Sequence, residues 1–111
     1  MKKSGFILVK TTYPNSSAGK KLAKILAKIL LEKKLAACVQ LAPVESFYFW
    51  QGEIKNDREL LVTIKTKNSL YKKIEKVISE NHLYDIPQIF SIQLNEGSKP
   101  YLDWIDSATK T

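Results

Sequence analysis

The residues best suited to chemistry in this chain lie around its single histidine. His82 is followed at short spacing by Tyr84 and Asp85, and an imidazole and a carboxylate this close can share a divalent transition metal. Cys38 is the single cysteine, and it adds a soft ligand if the fold or a neighbouring subunit brings it near. The alternatives are a hydrogen-bonded histidine at a helix end and a cysteine that packs as a small hydrophobic residue.

A second set of polar residues accompanies an apolar segment that is typical of a strand. Lys65 follows the apolar residues of this segment and precedes Thr66, so its ammonium group faces a partner carboxylate, a bound anion or solvent. Glu59, Lys65 and Tyr84 could converge at a cleft between subunits, although their spacing along the chain does not require it.

Sequence signatures of common enzyme and cofactor sites are absent from the chain. It contains no GxGxxG, Walker, GxSxG, HExxH or CxxC pattern, and a single histidine offers little for acid–base catalysis, so we expect no enzymatic activity. One cysteine cannot form an intramolecular disulfide, and no apolar run has the length of a signal-peptide core or a membrane span. We therefore expect a cytoplasmic protein that does not enter a membrane.

The formal net charge of +7 raises the question of nucleic-acid binding. Residues 1–44 carry nine lysines against one glutamate, so the excess lies near the N-terminus and on the first helix. A lysine-rich outer helix face is usually a solvated surface. The aromatic run Phe47–Trp50 lies on a different strand from the stacking aromatics of an RNA recognition module, whose sequence signature is also missing. Nucleic acid therefore ranks last among the expected partners. The lysines of the helix face are Lys20, Lys21, Lys24 and Lys28.

Hydrophobic periodicity predicts the order of the strands and helices. Helical spacing of apolar residues follows Ser16–Ser17 and again follows Asn68–Ser69, and either member of each pair can cap its helix. The predicted elements are a strand at Gly5–Thr12, a helix with Leu22, Ile25, Leu26, Ile29 and Leu30 on one face, an extended segment over 36–54, a strand at Glu59–Thr66, a helix with Leu70, Tyr71, Ile74, Val77 and Ile78 on one face, a strand at Ile86–Leu94 and a short helix at Tyr101–Ile105.

Two features of the central segment suggest how its strands are divided. Pro43 lacks the amide hydrogen that a central strand needs, so we expect two strand pieces joined by a bulge or bend. Lys55–Arg58 is polar and contains turn-forming residues, so we expect the break before the next strand there.

The order β-α-β-β-α-β indicates an α+β fold of the ferredoxin-like type, a βαββαβ sandwich with a long β2-β3 hairpin and a short C-terminal helix. We expect one domain over residues 1–111. Two helices can cover only one face of the sheet. The strand Glu59–Thr66 and the aromatic run Phe47–Trp50 carry apolar residues on both faces. The second face should therefore be covered by another copy of the chain, with the hairpin as the carrier of the contact.

Five segments between about residues 5 and 108, in one order along the chain, resemble the CutA family of divalent-cation tolerance proteins. His82–Ile89 is similar to the His-Pro-Tyr-Glu-x-Pro-Glu-Ile segment of that family, and Tyr101–Ile105 is similar to its Tyr-Leu-x-Trp-Ile segment. The other three are Leu35–Val39, Tyr48–Ile54 and Glu59–Thr66.

The resemblance implies a ferredoxin-like subunit in a stable homotrimer. It also implies binding of copper or another divalent metal ion and a part in the response to metal ions, with no cofactor required for folding. The metal ligands that we expect on this basis are His82, Asp85 and Cys38.

The same resemblance implies a structural likeness to the trimeric PII signal proteins, which bind nucleotides between subunits. The alternative function is therefore a PII-like signalling or interaction protein that holds a small anionic ligand in clefts between subunits. The residues that we expect to line such a cleft are Trp50, Glu59, Lys65 and Tyr84.

Overall fold

The computed structural model describes residues 5–110, and Lys2 and Lys3, which contribute to the N-terminal charge, lie outside this range. Four strands form one antiparallel sheet in the order β2-β3-β1-β4, which confirms the predicted ferredoxin-like arrangement. The elements are β1 (Phe6–Pro14), α1 (Ser17–Glu32), β2 (Cys38–Trp50), β3 (Glu53–Lys67), α2 (Tyr71–Glu80), β4 (Phe90–Gln93) and α3 (Lys99–Ala108).

The core lies between one face of the sheet and the two helices α1 and α2. Because side chains alternate along a strand, every second residue of β1 and β3 points to the helices. These residues are buried together with the apolar stripes of α1 and α2, as the helical spacing predicts. The most deeply buried members of this core are Val9, Val62, Ile64, Leu26, Leu30, Ile74 and Ile78.

The β2-β3 hairpin is longer and more regular than the sequence indicates. Its register runs without interruption from Cys38↔Lys65 to Trp50↔Glu53, so the expected bulge or bend at Pro43 is wrong. A proline is tolerated because β2 is an edge strand, paired only with β3, so only part of its amides are needed for the ladder. The strands are joined by Gln51 and Gly52.

The turn of this hairpin explains why the expected break at Lys55–Arg58 is also wrong. Gln51 and Gly52 both have positive φ angles, of 52° and 80°. A two-residue loop with both central φ angles positive is a type I′ turn, whose twist matches that of the flanking strands. Lys55–Arg58 is therefore continuous strand within β3.

The helix starts differ in how well the sequence predicts them. Ser16 caps α1, because its Oγ accepts a hydrogen bond from the Gly19 amide at 3.1 Å, which confirms the predicted cap. The cap expected for α2 is wrong, since a 3₁₀ turn over Asn68–Leu70 precedes that helix and no side chain caps it. The last strand is also shorter than Ile86–Leu94, because β4 covers only Phe90–Gln93.

Helix α3 covers one end of the sheet face opposite the core. Its Asp106 lies 3.1 Å from the Lys67 ammonium group, and the Lys65 ammonium group lies 5.3 Å from the centroid of the Tyr101 ring. Ile105 is fully buried beneath the helix. None of the described helices combines the length and hydrophobicity needed to span a membrane.

The other end of that face leads to a projecting hairpin arm, residues 45–58. The last pair between β1 and β3 is Pro14↔Glu59. Beyond it, six β2-β3 pairs, from Glu45↔Arg58 to Trp50↔Glu53, continue without a third paired strand for about 20 Å. Apolar side chains at the tip are largely exposed, with 76% of Phe49 and 71% of Ile54 accessible to solvent.

Candidate functional site

A cleft lies at the base of the arm, where β3 extends past β1. One wall is the face of the arm that carries Tyr48 and Trp50, and the other is the loop between α2 and β4. The cleft has a volume of about 640 Å³, within the range of small-molecule sites. Its lining residues are Thr12, Ser46, Phe47, Tyr48, Trp50, Glu59, Leu83, Tyr84, Asp85, Ile86 and Gln88.

The carboxylate of Glu59 is the most buried charged group of the cleft. Glu59 is only 8% exposed, and the Tyr84 hydroxyl donates a hydrogen bond to its Oε2 at 2.8 Å. Burial, followed by this hydrogen bond, raises the pKa of Tyr84, so the hydroxyl remains a proton donor at neutral pH. Among residues 5–110, Glu59 forms no ion pair.

His82 lies behind the cleft and uses both of its ring nitrogens. Nε2 lies 2.6 Å from the carbonyl oxygen of Thr12, and Nδ1 accepts a hydrogen bond from the Tyr84 amide at 3.1 Å. These partners assign the neutral tautomer with the proton on Nε2. The ring also stacks on Tyr13, with 4.4 Å between centroids. Burial lowers the pKa of His82 against the opposing effects of the Thr12 carbonyl and Glu59.

The three expected metal ligands do not meet within one chain. Asp85 lines the cleft, and His82 lies behind it with both nitrogens engaged. Cys38 pairs with Lys65, which is six residues, or about 20 Å, along β3 from Glu59. No group of three metal-ligating side chains occurs in the described part of the chain. The described residues of a single chain therefore do not fit a divalent metal.

Of the four expected cleft residues, the structure brings three together. Trp50, Glu59 and Tyr84 line the cleft, whereas Lys65 lies at the other end of the open sheet face beside Tyr101. Within one chain, the expected convergence of Glu59, Tyr84 and Lys65 is therefore not seen. Among residues 5–110, the cleft lining contains carboxylates and aromatic rings but no lysine or arginine.

Sequence reasoning missed the contribution of Tyr48. Tyr48 is on the same strand face as Trp50, and its hydroxyl donates a hydrogen bond to the carboxylate of Asp57 on β3. The signal was present in the pair Gln51-Gly52, because a two-residue turn there places Tyr48 and Glu59 on one face. A turn at Lys55–Arg58, as expected from the sequence, predicts a different register.

The sequence and fold of this chain are matched by known proteins. The family model described as CutA1 divalent ion tolerance protein matches residues 7–108. The chain belongs to the CutA1 family. A solved CutA1 structure from the psychrotrophic bacterium Shewanella sp. SIB1 superposes with a TM-score of 0.89 at 33% identity, covering 99% of this chain and 100% of that one. The CutA structure from Archaeoglobus fulgidus, described as a periplasmic divalent cation tolerance protein, gives 0.87 at 35% identity over 95% and 99% of the two chains.

Curated members of the CutA1 family include longer proteins. The chloroplastic CutA of Arabidopsis thaliana is 40% identical over 105 residues, which is 94% of this chain. The chain spans only 56% of that protein and 57% of the related chloroplastic CutA 1 of Oryza sativa subsp. japonica. Chloroplast and periplasm both occur in the names of relatives, so the expected cytoplasmic location of this chain stays a prediction.

Proposed function

We propose that this chain acts as a non-enzymatic homotrimer in divalent-cation tolerance. Its membership of the CutA1 family supports the general function, and the hairpin arm supports the assembly. An isolated two-stranded hairpin is at best marginally stable in water, yet the arm extends for six residue pairs without a third strand. The observation that carries the proposal is therefore this unsupported arm.

The side chains of the arm give the same indication. Phe49 and Ile54 lie opposite each other on one face, whereas Tyr48 and Trp50 lie on the other. In a single chain Phe49 and Ile54 are largely exposed, and Tyr48 and Trp50 are still 40% and 38% exposed. A contiguous apolar surface of this kind is typical of a protein interface, and a second copy of the chain is the partner that is always present.

Divalent metal binding is proposed for the assembly and not for the single chain. Cys38, His82 and Asp85 remain the proposed ligands, and their separation within one chain means that a site built from them takes groups from more than one subunit. A bound metal ion, for which copper is the first candidate, would neutralise the negative charges of the Cys38 thiolate and the Asp85 carboxylate. Because the imidazole is hydrogen-bonded on both nitrogens, its use as a ligand requires that one of these bonds be broken.

Native mass spectrometry tests the assembly. The wild-type chain should form a trimer, whereas Ile54→Lys should shift the distribution to monomers because it places a charge in the interface. Leu31→Lys is the matched control, since Leu31 is an exposed apolar residue on α1, away from the arm. A wild-type monomer, or an Ile54→Lys protein that assembles like the wild type, would contradict the proposal.

Titration of the metal-stripped trimer with copper and zinc tests the metal proposal in the same instrument. We expect uptake of an integral number of ions per trimer, reduced in Asp85→Asn and Cys38→Ser proteins that still assemble. These ligands would be rejected if the trimer took up no ions, or if both variants took up as many ions as the wild type. Neither result would contradict the proposed assembly.

One observation favours the alternative function, a PII-like protein that binds an anion between subunits. Lys65 lies on the open sheet face beside Tyr101 and forms no ion pair among residues 5–110, so its charge is available to an anion bound between subunits. Thermal-shift measurements with a panel of nucleotides test this function through ligand-linked stabilisation. A flat response across the panel would reject it.

A further inference from the structure

The helix side of the subunit, opposite the sheet face assigned to contact between copies, carries the positive charge of the described chain. Helices α1 and α2, together with Lys33, Lys34 and Lys110, contain ten lysines and three glutamates. The rest of residues 5–110 contains six basic and eight acidic side chains. An anion that meets the subunit is therefore attracted to its helix side.

A groove of about 260 Å³ lies on this side, between α2 and the end of α1. Three separate segments contribute exposed lysines to its lining, namely the end of α1, helix α2 and the residues that follow α3. The last of these segments is fixed in place, because the Lys110 amide donates a hydrogen bond of 2.9 Å to the Lys34 carbonyl oxygen. The lysines of the lining are Lys33, Lys73, Lys76 and Lys110.

The positive charge of this groove is not balanced within the described part of the chain. None of its four lysines forms an ion pair among residues 5–110. Glu80 is the single carboxylate that these residues contribute to the lining. Lys73 and Lys76 are three residues apart on α2, and like charges at this spacing on a helix repel each other. A bound anion would relieve this repulsion.

The groove differs from the lysine stripe of α1, which is typical of a solvated helix face. That stripe follows one helix, and Lys20 and Lys24 within it do not line the groove. The lysines of the groove instead come from segments far apart in the sequence, and the fold brings them together. Leu35 and Val77 also line the groove and belong to the buried core, so its walls are held by core packing.

We propose that this groove is a binding site for a small anion with several adjacent phosphate groups. The phosphate oxygens accept hydrogen bonds from the lysine ammonium groups, each of which is a compact positive charge with three donors. The volume of about 260 Å³ lies below the usual range of drug-sized ligands and favours a compact anion. The site goes beyond the proposed metal function and lies away from the arm and the open sheet face.

Isothermal titration of the native protein with inorganic triphosphate tests the proposal. Protein and buffer are stripped of metal, because triphosphate itself binds divalent ions, and the ionic strength is the same in every titration. Inorganic monophosphate is the comparison probe, since it offers fewer oxygens to the four lysines. We expect saturable binding of triphosphate at one anion per chain and much weaker binding of monophosphate.

Three variants place the binding in the groove. The double variant Lys73→Gln, Lys110→Gln should weaken triphosphate binding by about 10- to 100-fold, the usual effect of losing charged hydrogen bonds. The matched control is Lys20→Gln, Lys24→Gln, which changes the net charge equally on the exposed face of α1 and should leave binding nearly unchanged. Glu80→Gln removes the carboxylate from the lining and should strengthen binding.

Adenosine triphosphate distinguishes two sources of such an anion, because it attaches the same phosphate chain to a nucleoside. Binding equal to or weaker than that of inorganic triphosphate would assign the groove to the phosphate chain alone. Tighter binding that the Lys73→Gln, Lys110→Gln variant still weakens would assign a nucleotide. Both results support the groove as the site.

Three results would overturn the proposal. The first is the absence of saturable triphosphate binding by the wild type. The second is an equal loss of affinity in the two double variants, which would show diffuse attraction to the helix side. The third is unchanged binding in a folded Lys73→Gln, Lys110→Gln protein, which would place the anion elsewhere, as between subunits near Lys65. Neither metal uptake nor the oligomeric state enters these outcomes, so the proposed function is tested separately.

Discussion

Individual side chains around the cleft are held by hydrogen bonds that cross between distant parts of the sequence. Tyr84, on the loop before β4, donates its hydroxyl to Glu59 on β3, and its amide binds His82. His82 in turn contacts the carbonyl of Thr12 at the end of β1. The loop is thus attached to the sheet through two polar contacts, those of Tyr84 with Glu59 and of His82 with Thr12, and the bond between the Tyr84 amide and His82 joins the two within the loop.

Removing the Tyr84 hydroxyl should be costly. In Tyr84→Phe the buried Glu59 carboxylate loses its hydrogen-bond donor, and we expect the free energy of unfolding to fall by about 1–3 kcal/mol in urea denaturation. Tyr71→Phe is the control, because the Tyr71 hydroxyl donates a solvent-exposed hydrogen bond of 2.8 Å to Glu75 on α2. Its loss should cost well under 1 kcal/mol, or about as much as an exposed helix pair. Equal losses in the two variants would contradict the role given to burial.

The lowered pKa of His82 predicts a pH dependence of stability. Below its ordinary pKa of 6.5 the unfolded chain takes up a proton that the folded chain resists. This part of the stability is therefore complete above pH 6.5 and is lost as the pH falls toward the lower folded pKa. His82→Gln keeps a donor for the Thr12 carbonyl and does not titrate, so its urea midpoint should fall less than that of the wild type between about pH 7 and about pH 5. Parallel midpoint curves would show that the imidazole is not responsible.

Among the elements, the β2-β3 hairpin does most to form the site. It carries Tyr48, Trp50 and Glu59 on one face, and its turn decides that they share that face. Gly52 has a φ of 80°, and a Cβ placed there would meet no atom within 4 Å. The glycine is therefore needed for its backbone conformation and not for space.

Gly52→Ala should destabilise the folded protein by about 1 kcal/mol, the usual cost of placing a side chain in the left-handed region. Gly5→Ala serves as the control, because that position is equally open and its φ lies outside the region that favours glycine. Thermal unfolding at fixed protein concentration measures both. A Gly52→Ala protein as stable as the Gly5→Ala protein would contradict the turn conformation.

The sequence predicted the type and order of the helices and strands better than the residues at which they begin and end. Apolar spacing was sufficient for α1 and α2, because each buries a stripe of several apolar residues. It also located α3, of which Ile105 is the buried residue. It failed on the hairpin because Lys55–Arg58 projects into solvent on an arm, where polar residues are tolerated in a strand. The shared position of Trp50, Glu59 and Tyr84 could be predicted only in part, since it depends on a loop that crosses the end of β1. Lys65 is separated from these three residues by the β2-β3 register. That register could not be predicted while the turn was expected at Lys55–Arg58.

At the scale of the whole molecule, a single chain leaves two surfaces unfinished. One is the arm, and the other is the sheet face opposite the core, of which α3 covers only one end. Phe90 and Ile92 of β4 lie on this open face, and each remains 44% exposed. Assembly that covers both surfaces would bury further apolar side chains, so stability and association should be coupled.

This coupling predicts that the unfolding temperature rises with protein concentration. Association removes folded subunits from the unfolding equilibrium, so dilution should lower the unfolding temperature of the wild type. Phe49→Lys should show a lower unfolding temperature that no longer changes with concentration, as measured by differential scanning calorimetry across a dilution series. A wild-type unfolding temperature independent of concentration would contradict the coupling.

The two-residue turn has a consequence for insertions and deletions. A one-residue shift in strand pairing normally exposes an apolar face and is resisted for that reason. On the arm both faces carry aromatic residues of β2, so an exchange of Phe47 and Phe49 with Tyr48 and Trp50 would cost little hydrophobic burial. The turn is then the main determinant of the arm's alignment. A single residue inserted beside Gln51 should leave a chain that still associates but whose cleft has lost its tyrosine and tryptophan wall.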